Sequence, residues 1–260
     1  LVAAVLAAIR LAPLPLFWAL LLGLTGLAVV ELNRILEALG RPPWKLLSVL
    51  GTLATVTAFL DPEPAIAPVL TVCFVFVLVR TLFSGESPQR GCDRIIGTLL
   101  PVVYLGLTLG HVGGLIAAAG GFDRERGEDL LIFAIVAVYV GDTCAYYGGR
   151  TFGRHPMAPS ISPKKTWEGF ASGVIGAVAA SALGPLWFFQ ALPWAHALTL
   201  GALLGVAGVI GDLSESFFKR AAGVKDSGGL LPGHGGVLDR VDSLLLAAPV
   251  LYWYYRLVIV

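Results

Sequence analysis

Long apolar runs divide almost the whole chain into segments of about 20 residues. A bilayer core about 30 Å thick is crossed by roughly 20 apolar residues as a helix, whose backbone satisfies its own hydrogen bonds in lipid. The pattern therefore predicts an all-α, polytopic transmembrane helix bundle with about nine spans. The predicted spans are residues 1–11, 16–39, 44–60, 64–83, 95–117, 130–149, 167–188, 195–218 and 241–259.

Composition supports a membrane protein over a soluble one. The chain is 57% apolar and only 13% charged, which lies outside the usual range of soluble domains. A net charge of +1 and the lack of a basic block in the sequence predict no nucleic-acid partner. The first run has neither a basic flank nor a small-residue cleavage site, so we expect a span whose beginning is missing, not a signal peptide.

The distribution of Lys and Arg predicts the orientation, because short loops rich in these residues stay in the cytoplasm. Fourteen of the 18 fall on one side of the predicted bundle. They are Arg34, Arg41, Lys45, Arg80, Arg90, Arg94, Arg150, Arg154, Lys164, Lys165, Lys219, Arg220, Lys225 and Arg240. We therefore expect that side to be cytoplasmic in the cell (inner) membrane, with the C-terminus outside.

The two halves of the chain differ in their polar content. Residues 1–128 are expected to be N-terminal transmembrane helices, in which small residues such as Gly106, Gly110, Gly113 and Gly114 permit close packing. Residues 129–260 are expected to be C-terminal transmembrane helices carrying a cytoplasm-facing active site.

Two predicted spans contain an aspartate within apolar sequence, Asp142 and Asp212. An acid inside a span costs about 3 kcal/mol on insertion scales, so it normally faces a partner, a metal ion or water. Each is followed eight residues later by an arginine, Arg150 or Arg220, which places both acids at similar depth. They are interpreted as matched halves of one site; the alternative is a purely structural pairing with Lys or Arg.

A polar segment after the sixth predicted span has the residues of a phosphate cradle. Ser162 and Thr166 are good helix N-caps, and Lys164 and Lys165 are expected beside free backbone N–H groups at a helix start, where anions bind. The glycine spacing of a P-loop is absent from the sequence. A basic cytoplasmic loop with no ligand is the alternative.

Residues 211–243 are the densest polar stretch in the sequence. Asp212 and Ser216 are four apart on a helix and share a face, while Asp239 and Asp242 are three apart and share another. We expect three carboxylates to converge on one ion, and hard oxygen ligands suit Mg²⁺. Positive charge and hydrogen-bond donors for phosphoryl oxygens come from Lys219, Arg220, Lys225, Arg240 and His234.

The same stretch resembles the signature of the phosphatidate cytidylyltransferase (CDP-diacylglycerol synthase) family. The matching residues are Ser216, Phe218, Lys219, Arg220, Lys225, Asp226, Gly228, Leu231, Pro232, His234, Gly235, Gly236, Val237, Asp239, Arg240, Val241 and Asp242. Gly141-Asp142 and the run from Ser162 to Gly169 also resemble a second region of that family.

The resemblance implies a reaction of CTP with phosphatidate that gives CDP-diacylglycerol and pyrophosphate for phospholipid biosynthesis. It implies Mg²⁺, a monovalent cation such as K⁺, and a homodimer in the lipid bilayer. By position, Asp212 and Asp239 would bind the metal, with Asp242 and Asp226 as further candidates.

These patterns assign a role to each candidate residue. Mg²⁺ on Asp212 and Asp239 would neutralise the CTP phosphates, and Lys219, Arg220 and Lys225 would stabilise the leaving pyrophosphate. Asp226 and His234 are further catalytic candidates, and Asp242 is a further metal candidate. The substrate-binding candidates are Asp142, Ser162, Lys164, Lys165, Thr166, Ser216 and Arg240.

Three other functions compete with this one. A CTP-dependent lipid kinase of the dolichol kinase type would transfer the γ-phosphate to an alcohol and would require a general base. A transporter would also carry acids inside its spans, although here the charges crowd one face and not the midplane. A structural subunit does not explain the cluster of acids and bases.

Overall fold

The computed structural model describes residues 9–60, 65–116, 124–228 and 235–259. Within these ranges the chain forms eight α-helices of 13 residues or more. They are α1 Leu14–Ala38, α2 Lys45–Thr57, α3 Ile66–Leu82, α4 Pro88–Ile116, α5 Arg124–Phe152, α6 Trp167–Ser181, α7 Trp194–Ala221 and α8 Leu238–Tyr254. A 3₁₀ turn, Ala58–Leu60, extends α2, and π-helical turns follow α6 and α8 at Gly184–Phe188 and Tyr255–Ile259.

The helices coincide with the apolar runs. Each predicted span from residue 16 onwards overlaps one of them. Five are long and apolar enough to cross a membrane, namely α1, α4, α5, α7 and α6 with its π-helical turn. Helices α2 and α3 are shorter apolar helices. The prediction of a helical, polytopic membrane protein is confirmed at this level, and most of the first predicted span, residues 1–8, lies outside the described residues.

A two-stranded antiparallel hairpin lies between α5 and α6 of the otherwise helical chain. Strand β1, Pro156–Ala158, pairs with β2, Ser162–Thr166, with Pro156 opposite Thr166. Proline cannot donate to a helix or to a central strand, but it is tolerated where a strand has a free edge. Pro156 and Pro163 therefore disfavour helix here and are accommodated in a hairpin whose two strands are both edges.

The chain divides into two compact units. The first unit comprises Leu1–Gly121 and Phe218–Arg240, and the second comprises Phe122–Phe217 and Val241–Val260. These units group residues by packing, whereas the division predicted at residue 128 concerns where the chemistry lies. That division stays a prediction.

Close helix packing in the first unit depends on the glycines of α4, as the sequence predicted. A Cβ atom on Gly106 would lie 2.9 Å from the Thr55 Cβ, and Cβ atoms on Gly110 and Gly113 would overlap the rings of Phe59 and Trp18. Their small size lets α4 approach α1, α2 and the 3₁₀ turn closely.

Glycines also bring the helices of the second unit together. A Cβ atom on Gly141 of α5 would lie 3.2 Å from the Gly173 carbonyl oxygen of α6, and one on Gly205 of α7 would lie 3.0 Å from the Ala177 Cβ of α6. These crossings place the polar residues of α5 and α7 on a shared helical framework.

Candidate active site

The second unit brings the two intramembrane aspartates together. We call Asp142, Lys165, Asp212, Ser216 and Ser243 the Asp142 cluster. Asp142 of α5 forms a hydrogen bond with the Ser243 hydroxyl. It also interacts electrostatically with Asp212 and Lys165. The Lys165 Nζ atom lies 2.5 Å from the Asp212 Oδ2 atom, and the Ser216 hydroxyl donates to Asp212 Oδ1 at 3.4 Å. Lys165 thus forms an ion pair with Asp212, and Asp142 lies near both.

A glycine precedes each of these aspartates, Gly141 before Asp142 and Gly211 before Asp212, and lets a neighbouring helix approach closely. Successive residues of an α-helix point about 100° apart, so the glycine faces a neighbouring helix while the acid faces the cluster. A Cβ atom on Gly211 would overlap the Asp242 carbonyl oxygen, which places the first turn of α8 directly against α7. This close crossing carries Ser243 into the Asp142 cluster.

The hairpin presents its two lysines differently from the sequence-based expectation. Thr166 does cap α6, because its hydroxyl accepts from the Gly169 amide at 3.2 Å, but Ser162 begins strand β2 and is not a cap. Lys164 and Lys165 lie within the strand and not at a helix start, so their side chains point to opposite faces. Lys165 contacts Asp212, and Lys164 is exposed.

The start of α6 is tied to the loop before the hairpin by Glu168. Its carboxylate accepts from the Arg154 and His155 amides at 3.1 and 3.3 Å and contacts His155 Nδ1 at 2.5 Å. These bonds hold residues 153–155 against the helix start, and so position the hairpin that carries Lys165.

The first unit contains a second polar cluster. We call Glu31, Lys219, Ser227, Gly236 and Asp239 the Asp239 cluster. The Lys219 Nζ atom lies 2.6 Å from Asp239 Oδ1, and only 11% and 15% of the two side chains are exposed. Asp239 Oδ2 accepts from the Gly236 amide at 2.8 Å and from the Ser227 hydroxyl at 2.9 Å. Asp239 therefore pins the residues before α8 while it neutralises Lys219.

Glu31 is one of the site residues that the sequence-based assignment missed, with Ser227 and Ser243. It lies in α1, is completely buried, and accepts from the Val237 and Leu238 amides at 3.0 and 2.8 Å and from the Ser227 hydroxyl at 3.2 Å. The signal was present, because Glu31 is an acid inside a predicted span, like Asp142 and Asp212.

The remaining candidates are either exposed to solvent or outside the described residues. Arg220, Lys225, Asp226 and Arg240 are exposed, and one Arg220 guanidinium nitrogen donates to the Val224 carbonyl at 3.2 Å. Exposed cations of this kind remain accessible to an anionic ligand. His234 lies outside the described residues.

The donor set fits a hard divalent cation at the Asp142 cluster. Among the described residues, no group of three or more His, Cys, Asp or Glu side chains is placed to hold a metal ion, so the expected convergence of three carboxylates is not seen there. Mg²⁺ is commonly held by one or two carboxylates together with waters and substrate phosphates. Asp142 and Asp212, with the Lys165 ammonium group beside them, supply two carboxylates of this kind.

The comparisons with known proteins agree with this chemistry. The model of a cytidylyltransferase family matches residues 1–258. The chain belongs to this family. It is 42% identical over 183 residues to a phosphatidate cytidylyltransferase of Haemophilus influenzae. The aligned region covers 68% of this chain and 61% of that protein.

Two further relatives carry the same name. The Bacillus subtilis protein is 34% identical over 195 residues, covering 75% of this chain and 68% of that protein. The Mycobacterium tuberculosis protein is 44% identical over 168 residues, covering 65% of this chain and 49% of that protein. This cytidylyltransferase family member thus spans 49–68% of the length of these three curated relatives.

Proposed function

We propose that this chain transfers the cytidylyl group of CTP to phosphatidate, giving CDP-diacylglycerol and pyrophosphate for phospholipid biosynthesis. The observation that carries the proposal is the family match over residues 1–258, with relatives named phosphatidate cytidylyltransferase. The two polar clusters supply the charges that such a reaction requires.

The reaction needs charge neutralisation more than covalent help from the protein. A phosphate oxygen of phosphatidate attacks the α-phosphorus of CTP, and the bond from that phosphorus to the pyrophosphate oxygen breaks. The nucleophile is already anionic, so the step needs in-line positioning and stabilisation of the leaving group. Lys219, Arg220 and Lys225 are proposed to stabilise pyrophosphate, with Asp226 and His234 as further catalytic residues.

The Asp142 cluster and the hairpin are proposed to bind a phosphate-bearing substrate. Lys165 lies in strand β2 and pairs with Asp212, where it can neutralise a phosphate while the acids retain a cation. The other proposed substrate-binding residues are Ser162, Lys164, Thr166, Ser216 and Arg240.

Mg²⁺ is the proposed cofactor, with a monovalent cation such as K⁺ beside it. The proposed ligand in the Asp142 cluster is Asp212, and the charge interaction between Asp142 and Asp212 supports Asp142 as a second ligand. Asp239 and Asp242 stay candidates from the sequence alone. When bound, the metal ion neutralises phosphate oxygens as a Lewis acid.

The proposed setting is the cell (inner) membrane, with nine spans, a cytoplasmic active site and a homodimeric assembly. In this topology Cys92 lies on the cytoplasmic side, and it is exposed. A membrane-impermeant maleimide should label Cys92 in inside-out vesicles but not in intact cells. The reverse pattern would contradict the proposed orientation, and cross-linking in the membrane tests the dimer.

The deciding experiment follows label from α-labelled CTP into lipid, using purified protein, phosphatidate, and reactions with and without Mg²⁺. Label that enters the lipid only with the metal supports cytidylyl transfer. Soluble CDP with a newly phosphorylated lipid alcohol would indicate the kinase instead. No turnover with any lipid, together with solute flux in proteoliposomes without CTP, would indicate a transporter.

A further inference from the structure

Glu31 joins two segments of the first unit that are far away in the sequence. Its partners Ser227, Val237 and Leu238 lie 196, 206 and 207 residues further along the chain. Ser227 follows α7 in the sequence, and Leu238 is the first residue of α8. One carboxylate from α1 thus binds both the segment after α7 and the start of α8.

The same contacts continue to the Asp239 side chain. The Ser227 Oγ atom lies 3.2 Å from Glu31 Oε2 and 2.9 Å from Asp239 Oδ2, so its single proton serves both carboxylates. Glu31 also binds the first amide of α8, and Asp239 is the next residue of that helix. A shift of Glu31 would therefore move Asp239 and, through it, the ammonium group of Lys219.

We infer that Glu31 is a positioning residue for cytidylyl transfer, which holds Asp239 and Lys219 in their reactive geometry without touching substrate. This inference rests on the proposed function. A misplacement of about 1 Å costs roughly a hundredfold in rate when a step depends on fixed geometry. Glu31 is expected to act on kcat more than on the KM of either substrate.

The chemistry of the contacts requires a carboxylate. Glu31 meets two amide N–H groups and one hydroxyl, and an ionised carboxylate only accepts. In Glu31→Gln the amide NH₂ group would face a backbone N–H group, so a buried donor loses its acceptor. In Glu31→Asp the charge remains, but the side chain is one methylene shorter.

Two glycines leave room for the Glu31 carboxylate. A Cβ atom on Gly228 would lie 2.7 Å from Glu31 Oε1, and one on Gly236 would lie 2.6 Å from Glu31 Oε2. These distances are shorter than a carbon–oxygen contact allows. A side chain at either position would therefore displace the Glu31 carboxylate.

The first test compares Glu31→Gln with Glu37→Gln, a matched control on the same helix whose residue forms an exposed pair with Lys45 at 2.8 Å. We expect E31Q to lower kcat about tenfold or more while both KM values change less than about threefold. E37Q should retain wild-type kinetics. Equal kcat values for wild type and E31Q would overturn the inference, whereas an inactive wild type would overturn the proposed function instead.

Hydrogen exchange gives a readout independent of turnover. In the purified full chain, the amide of residue 237 or of residue 238 should exchange about tenfold faster in E31Q than in wild type, because the glutamine side chain keeps only one acceptor oxygen for the two. They should be unchanged in E37Q. Unchanged exchange in E31Q would contradict the contact.

A rescue experiment decides the question if E31Q fails to fold. Gly228→Ala pushes a methyl group against Glu31, and the shorter acid of Glu31→Asp makes room for it. The double variant G228A/E31D should therefore turn over faster than G228A alone, a coupling expected only of residues in contact. A double variant no faster than G228A would overturn the inference.

Discussion

Lys165 reaches from strand β2 to Asp212 on α7, and its ammonium nitrogen lies 2.5 Å from a carboxylate oxygen. The two side chains are 23% and 32% exposed, so the pair is partly shielded from water yet accessible to a ligand. The partly exposed Lys165 ammonium group is therefore positioned to donate hydrogen bonds to an arriving phosphate.

Replacing Lys165 should therefore slow turnover strongly without unfolding the protein. We expect Lys165→Ala to lower kcat/KM about a hundredfold, the usual loss when one charged donor to a phosphoryl group is removed. Lys45→Ala is the control, because Lys45 forms only an exposed pair with Glu37 and such pairs contribute little. Steady-state kinetics with CTP and phosphatidate measure both. Equal losses in the two variants would contradict a specific role for Lys165.

The metal proposal predicts how the acids respond to Mg²⁺. Asp212→Asn should nearly abolish turnover, and Asp142→Asn should raise the Mg²⁺ concentration for half-maximal activity about tenfold, since each loses a hard anionic ligand. Asp93→Asn serves as control, because Asp93 lies 4.0 Å from Arg41 in an exposed pair. The measurement is a Mg²⁺ titration of initial rate. Near-normal activity of D212N would disprove the assignment.

Replacing only Lys219 or only Asp239 should lower the stability of the protein more than replacing both residues together. Both side chains are mostly buried, so Lys219→Met or Asp239→Asn alone removes one half of a buried ion pair and should cost about 3 kcal/mol of stability. The double variant should recover part of this stability, because neither charge remains, but none of the activity.

Thermal unfolding in detergent and turnover assays of the three variants test this prediction. A double variant less stable than both single variants would show that the ion pair is not the main interaction between these residues.

Gly211 is expected to be intolerant of any side chain. Its Cβ would overlap the Asp242 carbonyl, so Gly211→Ala should destabilise the protein by about 1–3 kcal/mol and displace Ser243 from the Asp142 cluster. Gly26→Ala in α1 is the matched control, because a Cβ there meets nothing within 4 Å and alanine favours helix. Thermal unfolding should separate the two variants, and equal midpoints would contradict the close crossing.

Local sequence was sufficient to locate the helices and part of the site. Apolar runs predict helices in lipid because each helix satisfies its backbone hydrogen bonds within itself. The spacing of four between Asp212 and Ser216 likewise predicted a shared face, and the structure joins them by a hydrogen bond. The hairpin was missed because Lys164, Lys165 and Thr166 resemble the start of a helix. The sequence-based interpretation did not use Pro163, which disfavours helix there.

Contacts between distant segments were decided only by the tertiary structure. Periodicity specifies which face of a helix is polar, but not which segment will lie against it. Lys165 pairs with Asp212 across separate elements, and Glu31 binds Leu238 at a separation of 207 residues. The sequence alone determined a helical membrane protein with an acidic and basic C-terminal half. Packing, through glycines that let helices and loops approach, decided which charges meet.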